Sequence, residues 1–153
     1  MQFVIYECAK GAWFVLEDEA RRGLLVSRLF RNVNWCRIGM QAVIELMHGK
    51  NMRRKTAASC LEFKDQFSEY VYVDSEGLVR LVLITGMGNV LAESRAYPTL
   101  NAYNEEIASI CREIRNAPQS RGRGEPTMQP ASRTFDEKQL NDAAERVFLN
   151  AAQ

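Results

Sequence analysis

The chain has 153 residues, 46% of them hydrophobic and 25% charged, which is typical of one compact domain or two very small ones. Its 20 basic and 19 acidic side chains give a net charge of +1, so bulk charge provides no reason to bind nucleic acid or a membrane surface. No apolar run approaches the roughly 20 residues that cross a bilayer, and acidic residues stand where a signal peptide would have its cleavage site. We therefore expect a cytoplasmic protein without a membrane partner, in which any charged partner binds a local patch.

The first half of the chain aligns with the second. Residues 3–48 match residues 70–115 at a constant offset of 67 and without a gap. Similar or identical residues coincide along this alignment, among them Phe3 with Tyr70, Val4 with Val71, Glu7 with Asp74, Ser27 with Ser94, and Asn34 with Asn101. Such ordered self-similarity predicts a duplicated unit.

Each unit predicts three strands followed by a helix. The runs FVIYEC, AWFVLE and LLVSRLF in the first unit, and YVYVD, LVRLVLIT and VLAESRAY in the second, are rich in β-branched and aromatic residues. Residues 19–23 and 86–89 form the second hairpin turns and can supply positive φ values. Asn34 in the first unit, and Thr99 or Asn101 in the second, can cap the helices. We expect an α+β fold in which two tandem βββα units form an antiparallel sheet with the helices on one face.

The two predicted helices differ in their apolar surface. The second has one apolar face, as expected for a helix that lies on a sheet. The first has only a narrow polar stripe, so one sheet cannot bury all its apolar residues. We therefore expect an interface formed by Trp35, Met40, Ile44 and Met47. The C-terminal helix, a second copy of the chain or another protein can cover it.

Three segments lie outside the units, which span residues 1–48 and 70–115. Residues 49–69 form a connector with a basic cluster at Arg53, Arg54 and Lys55. Residues 116–133 are rich in proline and are expected to be a flexible linker. Residues 134–153 begin with a capping box and predict an amphipathic helix, whose Leu140, Val147 and Phe148 belong to the predicted interface.

The order of these motifs resembles the tandem βββα repeat of the YegP-like family of uncharacterised small bacterial proteins. The resemblance is carried by Trp13-Phe14-Val15-Leu16, Leu24 to Ser27 with Phe30, and Gly39 with Ala42-Val43 in the first unit. In the second unit it is carried by Val82-Leu83, Gly88-Asn89-Val90-Leu91, and Ser94 with Tyr97. This chain departs from the pattern in its long basic connector, its C-terminal extension and the lack of a compact Asn-Gly turn in the first unit. The resemblance implies two βββα units whose sheets join about a pseudo-twofold axis, and it implies no established activity.

The cysteines and the single histidine predict neither a metal site nor a catalytic pair. Cys8, Cys36, Cys60 and Cys111 are widely spaced, whereas structural zinc needs close pairs of ligands. Cys36 and His48 lie 12 residues apart on one predicted helix, about 18 Å along its axis and out of hydrogen-bond reach. We expect buried, reduced thiols and no cofactor.

Other candidate catalytic groups also have simpler explanations. Ser27 and Ser94 stand outside any GxSxG motif and are expected to bond neighbouring backbone groups. The acidic run 17–19 is expected to be a solvated hairpin end rather than a cation site. The glycines at 86 and 88 belong to a turn and lack the following helix of a phosphate-binding loop. We therefore expect a protein that is not an enzyme.

Two binding functions remain. We expect a protein–protein interaction module, in its sharpest form a phage or mobile-element inhibitor of a host defence (CRISPR-type) or nucleic-acid-handling complex. The alternative is direct nucleic-acid binding through the basic connector. Either partner would use a set of basic side chains: Arg53, Arg54, Lys55, Arg21, Arg22, Arg121 and Arg123. A homodimer is a further expected arrangement, since a second copy would cover the first helix.

Overall fold

The computed structural model describes residues 1–49, 68–74, 76–84 and 89–132. They form a seven-stranded mixed sheet in the order β4-β5-β6-β3-β2-β1-β7, so the chain has the expected α+β class. The strands are β1 (Gln2–Cys8), β2 (Gly11–Glu17), β3 (Gly23–Ser27), β4 (Ser68–Val73), β5 (Val79–Ile84), β6 (Val90–Ser94) and β7 (Gln119–Arg121). The helices are α1 (Val33–Gly49) and α2 (Leu100–Glu113), and a 3-10 turn (Ile114–Asn116) follows α2.

The sheet becomes continuous where β3 pairs with β6. These two strands run antiparallel, with Leu25 opposite Ser94 and Ser27 opposite Ala92. The main core lies on the face of the sheet that α1 and α2 cover. It contains alternate strand residues such as Phe14 and Leu81 together with Met40 and Ile110 of the helices. Alternation of this kind is what a sheet with one helix-covered face requires.

A buried serine makes the same two hydrogen bonds in each half of the sheet. The Ser27 hydroxyl accepts a hydrogen bond from the Phe14 amide (2.9 Å) and donates one to the Arg28 carbonyl (2.8 Å). Ser94 does the same with the Leu81 amide and the Arg95 carbonyl, both at 2.8 Å. These partners lie 67 residues apart in the chain, as the sequence alignment predicts. The expectation that the serines bond neighbouring backbone groups is confirmed.

The offset of 67 does not extend to the first strands. Val4 pairs with Val15, but Val71 pairs with Leu81 and not with Val82. Because β5 keeps the offset of 67, the connection from β4 to β5 is one residue longer than the connection from β1 to β2. A slip of one residue turns a strand over, so Val71 packs towards the helices whereas Val4 lies on the opposite face. The sequence pairs Phe3 with Tyr70, Val4 with Val71 and Glu7 with Asp74 are wrong in register.

The segment after α2 makes defined contacts instead of forming the expected flexible linker. β7 pairs in parallel with β1 at the edge of the sheet, so the sheet is not purely antiparallel. The chain then crosses the face opposite the helices, and we call residues 117–132 the strap. The Trp13 indole donates to the Met128 carbonyl (3.1 Å), and the Ala131 amide donates to the Ser27 carbonyl (3.0 Å). The proline-rich composition does not reveal this attachment. Backbone groups, rather than a run of apolar side chains, hold the segment on the sheet.

A small second core lies beneath the strap. It contains outward-facing strand residues, and the ring of Tyr6 stacks on that of Trp13 with centroids 5.6 Å apart. The Tyr6 hydroxyl and the Thr127 hydroxyl both donate to Oε2 of Glu17, each at 2.9 Å. Glu17 is 3% exposed, so its expected place in a solvated acidic loop is wrong. Burial and the bond to Glu17 raise the pKa of Tyr6.

Candidate interaction surface

The N-cap of helix α1 lies two residues before the predicted one. Oδ1 of Asn32 accepts from the Trp35 amide (2.9 Å), so Asn32 caps the helix and Asn34 lies within it. In α2, Thr99 accepts from the Ala102 amide (3.1 Å), which confirms the first of the two predicted caps. The earlier start of α1 places Trp35 in its first turn, on the exposed side of the helix.

Helix α1 has two large apolar side chains on its surface. Trp35 is 52% exposed and Ile38 is 59% exposed. They stand three residues apart and are therefore neighbours on the helix surface. The other predicted interface residues of α1 belong to the core, since Met40 and Met47 are fully buried and Ile44 is 9% exposed. Only Trp35 of the predicted set in this helix is available to a partner.

The α2 positions equivalent to Trp35 and Ile38 show which residues suffice for packing there. At the offset of 67, Trp35 corresponds to Ala102 and Ile38 to Glu105. Ala102 is partly buried and Glu105 is exposed. A small residue and a carboxylate therefore occupy this place without disturbing the α2 packing, and the two large apolar side chains of α1 exceed what the fold needs.

Arg95, Tyr97 and Glu106 form a polar cluster beside these positions of α2. The guanidinium group of Arg95 donates from Nε and Nη2 to the two carboxylate oxygens of Glu106, each at 2.8 Å. The Tyr97 hydroxyl donates to Oε1 of the same carboxylate (2.7 Å), and the guanidinium lies 5.0 Å from the Tyr97 ring centroid. Burial and the bond to Glu106 raise the pKa of Tyr97. Glu106 thus neutralises Arg95 within the chain.

The same flank of α1 keeps the arginine and lacks the carboxylate. Arg28 lies over the ring of Phe30, 5.9 Å from its centroid, as Arg95 lies over Tyr97. Gly39 stands where α2 has Glu106, and a Cβ there would come within 2.2 Å of Cζ of Phe30. The glycine lets the phenyl ring lie directly on the helix backbone. Arg28 is exposed and has no ion pair with any carboxylate of the described residues.

Arg28, Ile38 and Gly39 are not among the predicted site residues. A comparison of the two aligned halves reveals them, because the first half has Ile38 and Gly39 where the second half has Glu105 and Glu106. Composition alone does not reveal this change, because the arginine itself is retained. We call Arg28, Trp35 and Ile38 the α1 surface.

The four predicted basic residues that the structure describes do not all remain free of ion pairs. Arg22 pairs with Asp18 at 2.8 Å, and Arg121 pairs with Glu7. Arg21 and Arg123 are exposed. Arg21 also provides the positive φ of the β2–β3 turn, at 61°.

Some predicted site residues lie outside the described residues. They are Arg53, Arg54 and Lys55 of the connector, and Leu140, Val147 and Phe148 of the predicted C-terminal helix. The predicted turn at residues 86–89 is described only at Asn89. These predictions stay as they were made from the sequence.

The thiols differ in exposure. Cys36 is buried, and burial raises its pKa to about 12, which makes it a poor nucleophile at neutral pH. Cys8 is exposed, so the expectation that the cysteines are buried is wrong there. Within residues 1–49, 68–74, 76–84 and 89–132, no three His, Cys, Asp or Glu side chains gather as metal ligands would. No described helix is long and apolar enough to cross a membrane.

The fold defines an α+β protein with a mixed sheet and two helices on one face. It is similar to the solution NMR structure of YegP from E. coli, a protein of unknown function, with a TM-score of 0.58 and 15% sequence identity. The similarity covers 81% of this chain and 94% of YegP. No protein-family model matches the chain, and no curated protein matches it in sequence. At this identity the likeness concerns the fold alone.

Proposed function

We propose that this protein is a non-catalytic protein–protein interaction module whose partner docks on the α1 surface. The observation that carries the proposal is the exposure of Trp35 and Ile38 on adjacent turns of a helix whose other large apolar residues are packed into the core. Tryptophan contributes more to binding than most residues when a partner buries it. A tryptophan exposed by half on a well-anchored helix is therefore preorganised for docking.

We also infer that the two halves are copies of one βββα unit. The inference is supported by the recurrence, 67 residues apart, of the serine bonds, of a bulge beside Leu16 and Leu83, and of the bridges Ala12–Phe30 and Val79–Tyr97. Duplication explains how one half can change its surface while the other keeps the packing solution. The second half then serves as an internal reference for the first.

The second half also specifies the test. We would exchange the two exposed apolar residues for their equivalents, as Trp35→Ala together with Ile38→Glu, in the full chain. Because Ala102 and Glu105 occupy these positions in α2, we expect the variant to keep its helical content and thermal stability. Wild type, the double variant and Gln41→Ala, an exposed control on the same helix, would each be used as bait in a host lysate.

The expected result is a protein that wild type and Gln41→Ala retain and that the double variant loses. A partner retained equally by all three baits would contradict the α1 surface as the docking site. Light scattering with absorbance at two wavelengths, in low and high salt, separates the other outcomes. A dimer that the double variant converts to monomer would identify a second copy as the occupant, and nucleic acid that leaves at high salt would favour the alternative function.

The sharper form of the proposal is an inhibitor of a host defence complex or of a complex that handles nucleic acid. It is supported by the small size, the near-neutral charge and a single exposed docking surface among the described residues. The lysate for the capture would come from a phage-susceptible host. Failure of wild type to enrich any component of such a complex would contradict this form.

Nucleic-acid binding through the connector is tested by Arg53→Ala with Arg54→Ala and Lys55→Ala. Loss of salt-sensitive binding to an oligonucleotide in this triple variant would support the alternative function, and unchanged affinity would contradict it.

A further inference from the structure

We propose that the α1 surface binds an acidic, apolar polypeptide segment, in which a carboxylate pairs with Arg28 and neighbouring apolar side chains pack on Trp35 and Ile38. This inference rests on the proposed function and states the chemistry of the partner. It starts from the difference between the two aligned halves of the chain.

The second half shows how this fold satisfies an arginine at the end of its third strand. Glu106 holds Arg95 with two parallel bonds of 2.8 Å and receives the Tyr97 hydroxyl as well. Two parallel bonds between a guanidinium and a carboxylate are a strong and directional arrangement. The geometry is therefore suited to a carboxylate that approaches from the helix flank.

The first half keeps the arginine, Arg28, but has no counterpart of the Glu106 carboxylate. Arg28 extends over Phe30 as Arg95 extends over Tyr97, at 5.9 and 5.0 Å from the respective ring centroids. Gly39 supplies no side chain, and Phe30 has no hydroxyl to bond a carboxylate. Among the described residues no acid pairs with Arg28, so a carboxylate from another chain can reach its guanidinium over the phenyl ring.

The charge around α1 favours an acidic partner. Arg31 and Arg37 flank the same helix start and, like Arg28, are exposed. Neither makes an ion pair within the described part of the chain. The corresponding positions in the second half are Pro98 and Asn104. Three exposed arginines that have no ion pair among the described residues, close in sequence to the apolar pair, attract an anionic partner and disfavour a basic one.

The apolar residues favour a polypeptide over a nucleic acid. Trp35 stands one turn before Gly39, on the same side of the helix as the glycine that contacts Phe30, and Ile38 is the neighbour of Trp35 three residues on. Ile38 is the more exposed of the two and has no aromatic ring for a base to stack on. Aliphatic and aromatic side chains of a peptide can pack against both residues at once.

A random peptide library displayed on phage tests the proposal with the full-length protein as target. Peptides would be selected on wild type after removal of those that bind the Trp35→Ala/Ile38→Glu variant. The retained peptides should be rich in Asp and Glu next to aliphatic or aromatic residues. A single-stranded oligothymidylate would be titrated in parallel, with the tryptophan fluorescence of the protein as the signal.

Two further variants test the role of Arg28. In Arg28→Gln, we expect the Kd of a selected acidic peptide to rise about tenfold, because a charge-assisted bond is lost. In Phe30→Tyr with Gly39→Glu, which reproduces Tyr97 and Glu106, an internal carboxylate should occupy Arg28 and weaken the same peptide to a similar degree. Circular dichroism and denaturation verify that this second variant is folded, and Arg28→Gln keeps the test decisive if it is not.

The outcomes separate this inference from the proposed function. Peptides that depend on Trp35 and Ile38 but show no excess of acidic residues, or that bind Arg28→Gln unchanged, would overturn the inference and leave the docking function standing. Failure to select any peptide that depends on Trp35 and Ile38 would overturn both. Tighter binding of oligothymidylate than of peptide, lost in Arg28→Gln, would replace the polypeptide with a nucleic acid.

Discussion

Single side chains hold the hairpins of both halves together. Ser27 and Ser94 are fully buried. Each hydroxyl both donates a hydrogen bond and accepts one from the amide of the neighbouring strand. Removal of such a hydroxyl leaves a buried amide without its acceptor, which costs more than the net value of the bond itself. These serines are therefore structural, and their position near the sheet centre explains why they occur in both halves.

We expect Ser27→Ala and Ser94→Ala each to lower the free energy of unfolding by about 1–3 kcal/mol, since each strands an amide in the core. Urea denaturation at neutral pH measures the loss. Ser120→Ala, at an exposed position of β7, is the control and should change stability by less than about 0.5 kcal/mol. Equal stability of all three variants would show that the buried hydroxyls are dispensable.

Asp74 gives the β4–β5 loop a pH-dependent contribution. Its carboxylate accepts from the Leu78 amide (3.0 Å) and the Glu76 amide (2.9 Å) and pairs with Arg80 at 3.1 Å. Burial alone would raise the pKa of Asp74, but these three partners outweigh it and hold the pKa below the ordinary 3.8. A carboxyl group whose pKa is lowered by folding stabilises the fold above its unfolded pKa and loses this contribution as pH falls through its folded pKa.

Asp74→Asn should therefore cost about 1 kcal/mol of unfolding free energy at pH 7, and the deficit relative to wild type should be unchanged down to about pH 5. The deficit should shrink only below pH 3.8, where the wild-type group gains its proton. Denaturation curves of both proteins across this range measure it, with Glu76→Gln as an exposed control. A deficit that persists at the most acidic pH would mean that the charge of Asp74 contributes nothing.

At the scale of elements, α1 is positioned by its cap and by one face of core residues. Asn32 satisfies the Trp35 amide, and Met40, Val43 and Met47 hold the helix against the sheet. These contacts fix which turn of the helix is first and which side faces outward. The exposure of Trp35 is a consequence of that rotation.

We expect Asn32→Ala to destabilise the protein by about 1 kcal/mol, because a helix N-terminus loses its side-chain acceptor. Asn34→Ala is the matched control, since Asn34 is an exposed residue inside α1 and should have a much smaller effect. Thermal or urea unfolding followed by circular dichroism compares them. A larger loss in Asn34→Ala than in Asn32→Ala would return the helix start to the residue favoured by sequence.

At the scale of the whole molecule, the two halves share one sheet and one main core but present different surfaces. β3 and β6 join them at the centre, and both helices cover the same face. The α2 flank is closed by the Arg95–Glu106 pair, whereas the α1 flank presents Arg28 with Trp35 and Ile38. This difference between the two surfaces is the basis of the binding role that we propose for the first half.

Because α1 has a buried face and an exposed face, substitutions on the two faces should change the free energy of unfolding by very different amounts. Met40→Ala should cost about 2–5 kcal/mol of unfolding free energy, because it leaves a cavity in the core. Trp35→Ala should change stability by less than about 0.5 kcal/mol. Urea denaturation measures both, and a loss in Trp35→Ala comparable to that in Met40→Ala would show that Trp35 belongs to the fold rather than to a docking surface.

The candidate site was only partly predictable. The surplus of apolar residues on α1 is visible in the sequence, and Trp35 was selected from it. Met40, Ile44 and Met47 lie in the core and not in the predicted interface. Periodicity does not say how far around a helix the core extends. Arg28 was missed because its meaning depends on the absence of a carboxylate at Gly39, which lies across the flank in space.

The sequence by itself determined the order of strands and helices in each half and the spacing of 67 between the two serines, and it limited the second cap to Thr99 or Asn101. These features depend on residues that are close in the chain or that recur in it, so local patterns carry them. Tertiary structure decided the one-residue slip of β4, the attachment of the strap to the sheet, and which side of α1 faces outward. Each of these depends on backbone hydrogen bonds and packing between distant segments, and no local pattern of residues specifies such contacts.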